Sequence, residues 1–321
     1  MLGKIAVEEH FIVPGFSAGA SMPPGEPELA QRMADLSDLR LREMEDSGVA
    51  RSVLSLTSPG VQGERDAGAA VAAAERANDL LAEAIGRHPD RFAGFAAVAL
   101  QDPGAAAREL ERCVSVHGFV GAMVNGYTGP EDGERATYHE DPRFDPFWAK
   151  AAELGVPVYL HPREALLSQR LAYEGFPEIV RAAWGFGVET GTHAIRLILG
   201  GVFDRHPTLQ LMLGHLGETL PFAVWRLDHR VSMRPHGRAL QRSVTEYLRE
   251  NVHVTTSGNF STRALQATIA ELGAERVLFA ADYPYESMRE AAEWFDAAPL
   301  DDQERAAIGR DNALRLLGLA T

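Results

Sequence analysis

The sequence predicts a closed parallel (β/α)8 barrel, a TIM barrel formed as a single domain over residues 1–321, with long loops on its C-terminal face. Three observations carry that prediction. Short runs rich in β-forming residues alternate with longer helical patterns along the whole chain, and the alternation counts to eight. The strands read as near-continuous apolar runs, as strands covered on both faces should. Finally, no Gly-x-Gly-x-x-Gly follows any strand and no Walker pattern occurs, so the main signatures of the runner-up, a doubly wound open sheet, are missing.

Taken in order, strands are expected at residues 4–7, 52–56, 92–98, 119–124, 157–160, 209–213, 252–255 and 277–280. Helices are expected at 36–46, 69–87, 104–116, 146–153, 189–199, 220–230, 263–272 and 286–295. Gly48, Gly155 and Gly273 each end a helical run before a strand, where a left-handed C-terminal cap is expected. Three irregular stretches, 14–28, 127–145 and 162–187, follow strands one, four and five. All three fall on the C-terminal rim, where barrel enzymes build their sites.

Hydrophobic residues make up 45% of the chain and charged residues 24%, close to globular averages. No apolar run approaches the roughly 18 residues of a spanning helix, and the N-terminus lacks the pattern of a secretory signal. A cytoplasmic location with no membrane partner is therefore expected. The single cysteine, Cys113, lies in a helical run and reads as packing. A formal net charge of -14 argues against nucleic acid as a partner. It also sets a requirement, because an anionic substrate needs local positive charge, which a bound metal ion would supply.

The polar residues at the strand ends give the strongest signal. Strand one ends in Glu8-Glu9-His10, where residues two apart point to one face and set a carboxylate beside an imidazole. Strand four ends in Asn125, strand five in His161, strand six in His215, strand seven in Thr256 and Ser257, and strand eight in Asp282. Neutral nitrogen and anionic oxygen ligands suit a divalent ion such as Zn2+ or Mn2+. Each residue alone has an ordinary reading: a strand-end histidine often serves a loop, and Asp282 before Tyr283-Pro284 can cap a turn. Recurrence at one structural position in separate units favours the metal. Glu9, on the opposite face, and the histidines at 88, 117, 139, 193, 206, 236 and 253 read as structural. Glu218 stands three residues after His215, where it can fix the imidazole tautomer or simply serve a helix start.

Six blocks then match a known family: Lys4-Ile5-Ala6-Val7-Glu8-Glu9-His10-Phe11, Tyr159-Leu160-His161-Pro162-Arg163, Gly214-His215-Leu216-Gly217-Glu218, Trp225-Arg226-Leu227-Asp228-His229-Arg230, Thr256-Ser257-Gly258-Asn259-Phe260 and Ala281-Asp282-Tyr283-Pro284-Tyr285-Glu286. Together they resemble the non-oxidative aromatic acid decarboxylases of the amidohydrolase superfamily, and most of all the γ-resorcylate (2,6-dihydroxybenzoate) decarboxylases. The resemblance runs in order from residue 3 to about residue 317. It implies a barrel with one divalent metal ion held by Glu8, His10, His161 and Asp282, and no organic cofactor. The implied reaction is the reversible decarboxylation of a small aromatic carboxylic acid bearing an ortho hydroxyl. Asp282 would serve as the acid, with His215 and Glu218 managing protons. Hydrolase relatives often begin with His-x-His and carry a carboxylated lysine after strand four. Glu8-x-His10 and Asn125 at those positions favour the decarboxylase, and a metal-dependent lactone or amide hydrolase is the alternative. A non-catalytic barrel that keeps the rim as a binding site is a third class.

Asn125, Trp184, Phe260, Tyr283 and Arg230 are the expected substrate contacts, with Phe186 beside Trp184 in an apolar wall. Relatives commonly carry Trp-Pro-Phe where this chain has Tyr283-Pro284-Tyr285, which adds hydroxyls near the pocket. The resemblance also implies a homodimer or homotetramer in which residues 225–230 make subunit contacts and Arg230 reaches a neighbour's site.

Overall fold

The computed structural model describes residues 3–13, 27–133 and 136–320. Its eight strands are β1 (Lys4–Phe11), β2 (Val49–Leu56), β3 (Phe92–Ala97), β4 (Gly121–Asn125), β5 (Val158–His161), β6 (Leu211–Leu213), β7 (Val252–Thr255) and β8 (Val277–Leu278). Each pairs in parallel with the next, in chain order. The ring is closed by Val7 N donating to Phe279 O (3.2 Å) and His10 N donating to Tyr283 O (2.7 Å). A helix follows every strand, so the chain forms the expected (β/α)8 barrel.

Strand alternation divides the apolar residues into two cores. Ile5, Val7, Val53, Phe95, Met123, Tyr159, Met212 and Leu278 fill the lumen. A larger core, including Leu54, Val124, Leu160, Leu213 and Val254, packs the outer strand faces against the helices. The lumen is thus plugged below its C-terminal rim, and the site can form only at that rim.

β1 departs from simple alternation. Ala6 pairs with Ser52, and the next pair is Glu9 with Leu54, so one extra residue is inserted at positions 7–8. This bulge shifts the phase: Ile5 and Val7 face the lumen below it, whereas Glu8 and His10 face the site above it. β1 also runs to Phe11, past the apolar stretch that marks it in the sequence.

β8 is shorter than expected and ends at Leu278, after which Phe279 N donates to Ile308 O (2.9 Å). Gly48 and Gly155 adopt positive φ (65° and 66°) as expected, and Gly273 does too, but its φ of 93° and ψ of 147° lie outside the left-handed helical region, in a conformation open mainly to glycine. Helices Pro27–Ala34, Val202–Arg205, Val244–Asn251, Asp302–Ala306 and Asn312–Leu317 are additional to the eight expected. The first loop insertion, residues 14–28, lies mostly outside the described residues. The third, residues 162–187, folds into the 3-10 turns Leu167–Tyr173 and Pro177–Ile179 before the helix Gly185–Leu199. Cys113 is buried and free. Among the described residues no helix is long and apolar enough to cross a membrane.

Candidate metal centre and active site

Glu8, His10, His161 and Asp282 each bring one ligand atom into a group whose members all lie within 4.8 Å of one another. His10 Nε2 is 3.1 Å from Asp282 Oδ1, and His161 Nε2 is 3.5 Å from Glu8 Oε1. Glu8 Oε1, His10 Nε2 and Asp282 Oδ1 are buried without a hydrogen-bond partner. Converging buried lone pairs with no donor between them are costly unless a cation satisfies them. The donor set therefore fits one divalent ion.

The remaining atoms of these ligands are tied down. Glu8 Oε2 accepts from the Tyr159 hydroxyl and from Thr255 Oγ1 (3.0 Å), and Thr255 Oγ1 in turn meets Ser257 Oγ at 2.9 Å. His10 Nδ1 meets Ser55 Oγ at 3.3 Å, which orients the ring for its Nε2. Gly214 leaves room for this floor, since a Cβ there would lie 3.0 Å from Glu8 Oε2 and 3.1 Å from Ser257 Oγ. Tyr159 and His161 are two apart on β5, as are Thr255 and Ser257 around the end of β7. The alternation that marks the ligands was thus also the signal for their supports, which the sequence reading did not use.

Burial pushes the Glu8 carboxyl up against the opposing pull of His215 and His10. Burial likewise drives His161 well below the usual histidine range, so its imidazole is neutral and free to ligate. Burial of the Asp282 carboxyl would raise it, yet the neighbouring His10 and His215 imidazoles hold it below the usual carboxylate range. For His215 burial works downward, but the hydrogen-bonded Glu218 carboxylate and the nearby Asp282 prevail and raise it well above the histidine range. His215 Nδ1 meets Glu218 Oε1 at 2.7 Å, and its Nε2 faces Asp282 Oδ2 at 3.6 Å.

An unusual turn aims this pair. His215, Leu216, Glu218 and Thr219 all have positive φ (54°, 60°, 52° and 68°), a left-handed backbone that costs a non-glycine residue roughly 1–2 kcal/mol. His215 N donating to Ser257 Oγ (3.1 Å) and Leu216 N donating to Thr255 O (2.7 Å) hold it in place.

The group opens into a cleft of about 1060 Å³ whose walls include His161, Arg163, Phe186, His215, Asp282 and Tyr285. The expected substrate contacts fare differently from the ligands. Asn125 is buried at the end of β4 with Nδ2 donating to Leu56 O (3.3 Å), and it does not line the cleft. Trp184 is 54% exposed just ahead of the helix Gly185–Leu199, and Phe186 takes the wall position instead. Phe260 packs on Trp294 with ring centroids 5.6 Å apart. Tyr283 is buried under the Arg40 guanidinium, 4.8 Å from its ring, because the turn at Asp282 sends it behind the rim; Tyr285 faces the cleft. Arg230 is exposed in the last turn of the helix Leu220–Met233, away from this cleft. Arg163, which the sequence reading gave no role, is a buried cation in the cleft wall, stacked 4.1 Å over the Tyr127 ring and donating through Nη1 to Tyr127 O (2.7 Å).

With this geometry in view, comparison with known proteins is decisive: the model of the amidohydrolase family, Amidohydro_2, matches residues 15–319. The chain belongs to the amidohydrolase family. Among amidohydrolases it is 46% identical to a γ-resorcylate decarboxylase of Rhizobium radiobacter, covering 99% of both chains. It superposes on a crystal structure of 2,6-dihydroxybenzoate decarboxylase complexed with 2,6-dihydroxybenzoate with a TM-score of 0.95 at 45% identity, covering 99% of this chain and 100% of that one. A dihydroxybenzoic acid decarboxylase from Polaromonas sp. JS666, solved with manganese and the inhibitor 2-nitroresorcinol, gives a TM-score of 0.94 at 42% identity and covers 99% and 97% of the two chains.

Proposed function

We propose that this amidohydrolase is a carboxy-lyase that removes CO2, reversibly and without oxidation, from an ortho-hydroxybenzoate of the 2,6-dihydroxybenzoate type. The observation that carries the reading is the convergence of Glu8, His10, His161 and Asp282, with unpaired buried ligand atoms, at the foot of a cleft flanked by His215 and Glu218. A divalent ion held by those four residues, Mn2+ or Zn2+, would act as a Lewis acid toward the substrate's carboxylate and ortho oxygen. No organic cofactor is required.

Direct loss of CO2 would leave an aryl anion whose electron pair lies in the ring plane and cannot be delocalised. Protonation of the ring carbon first avoids it. Asp282, at the cleft, delivers that proton; a C–H bond forms and the ring loses aromaticity, with the ortho phenolate donating into it. The C–C bond to the carboxylate then breaks, its electron pair returns to the ring, and CO2 leaves. Because Asp282 is held ionised at rest, the proton it delivers comes from His215, kept charged by Glu218, across the 3.6 Å gap, and solvent then recharges His215. High bicarbonate drives the reverse reaction. Arg163 adds fixed positive charge to the wall of a cleft that must receive an acid despite the chain's net charge of -14.

The hydrolase alternative calls for a second ion, whereas a single group of four ligands is found among the described residues. One domain covering residues 1–321, a cytoplasmic location and assembly as a homodimer or homotetramer complete the proposal. The assembly is supported by Phe222, Trp225 and Met233, all more than half exposed along the helix Leu220–Met233. Arg230 on that helix would then approach a neighbour's cleft. The test is to incubate Mn2+-loaded protein with 2,6-dihydroxybenzoate, salicylate and other ortho-hydroxybenzoates and to identify the products. Release of CO2 with the matching phenol is expected. Hydrolysis of a lactone or amide panel with no CO2 from any benzoate would overturn the reading.

A further inference from the structure

Glu9 is a buried carboxylate of the rim that the proposed chemistry leaves unused. The bulge in β1 turns it away from Glu8 and His10 and out of the lumen, toward the buried guanidinium of Arg40. A carboxylate in such a place is costly unless its oxygens find donors. Oε1 accepts from Ala281 N (3.0 Å) and Oε2 accepts from Tyr283 N (3.2 Å). Those are the two residues on either side of Asp282.

Asp282 needs such support. Its φ is 72°, in the left-handed region, and β8 ends at Leu278, so no strand ladder continues through the turn. Further ties come from the same part of β1: His10 N donates to Tyr283 O (2.7 Å), and Arg40 Nη2 donates to His10 O (2.6 Å) while its guanidinium covers the Tyr283 ring. We infer that Glu9 is a positioning residue whose carboxylate grips the backbone on both sides of Asp282 and so sets Asp282 against Glu8 and His10 at the spacing a divalent ion requires. The inference rests on the metal reading of the site and is independent of which acid is decarboxylated. In the stretch Glu8-Glu9-His10, alternate residues point to the ligand group, and the residue between them aligns the ligand that follows β8.

The test is E9Q, which keeps the shape of the side chain but turns an amide NH2 toward one of the two backbone N–H groups. Mn2+ affinity by calorimetry and the electron paramagnetic resonance spectrum of bound Mn2+ are read without substrate, beside the melting temperature. E109Q is the control, since Glu109 on the helix Pro103–His117 is another buried carboxylate, held by Arg112 of the same helix and by Asn78 of the helix Ala67–Arg87. E9Q is expected to weaken Mn2+ binding about 10- to 100-fold and to alter the spectrum, with kcat falling more than KM rises. E109Q should lower the melting temperature and leave both metal readouts unchanged. Wild-type affinity and spectrum in E9Q, or a change no larger than that in E109Q, overturns the inference. If E9Q does not fold, E9D, which keeps the carboxyl group and shortens the reach, carries the same comparison. A wild-type chain that binds Mn2+ yet decarboxylates nothing overturns the proposed reaction alone, whereas one that binds no Mn2+ overturns both.

Discussion

The two sides of the cleft are built by different rules. The metal side comes from strand ends: Glu8, His10, His161 and Asp282 are fixed by barrel register and then by Tyr159, Thr255, Ser55 and Glu9. The facing side comes from residues 162–187, where turns and ion pairs replace the ladder, with Arg170 bridging Glu131 and Glu164 and Arg181 pairing with Glu164. Leu171, Phe176 and Trp184 are left largely exposed there. Where the backbone over-determines a side chain, its position follows from alternation. Where it does not, residue type alone says little about direction.

That contrast can be probed from its strong end to its weak end. Asp282→Asn should fold normally and lose about 10³-fold or more in kcat; near-normal turnover would remove Asp282 from the role of acid. Glu218→Gln comes next, with kcat down about 10- to 100-fold. Because Glu218 raises His215 and charged His215 is the active form, activity should be lost on the alkaline side as pH rises, and that limb should move to lower pH in Glu218→Gln. A pH profile that keeps its alkaline limb in place would break the link between the two residues. On the strand-end side of the cleft, where Tyr285 packs against the His10 ring, Tyr285→Phe removes the hydroxyl that meets Thr57 Oγ1 at 2.7 Å and should change KM about fivefold, the equivalent of roughly 1 kcal/mol. Trp184→Ala should change KM by no more than about twofold, as expected for an exposed side chain outside the cleft wall. A larger effect of Trp184→Ala than of Tyr285→Phe would erase the distinction between the two sides.

The same division explains what could be read in the sequence. All eight strands were legible because apolar runs with glycine exits recur along the chain, and the four ligands were legible because each stands at a strand end. The bulge at residues 7–8 was not, since it changes facing without changing composition. The helix Val244–Asn251 was missed although its capping box, Ser243 with Glu246, is present in the sequence. Tyr283 was expected in the pocket because aromatic bulk was read without the left-handed turn at Asp282 that decides where it points. Phe260 and Trp184 stand outside the cleft lining; neither lies on a strand, so no register fixes its direction. Glu9 was read as structural from its facing alone, and only the backbone groups it meets tie it to the site.

The central claim is that the four strand-end residues hold one divalent ion. Equilibrium titration of the metal-free chain with Mn2+ tests it most directly, in the wild type and in His161→Ala. One ion per chain, with affinity weakened about 100-fold or more in His161→Ala, is the predicted result. Two ions per chain, or undiminished binding in His161→Ala, would contradict it.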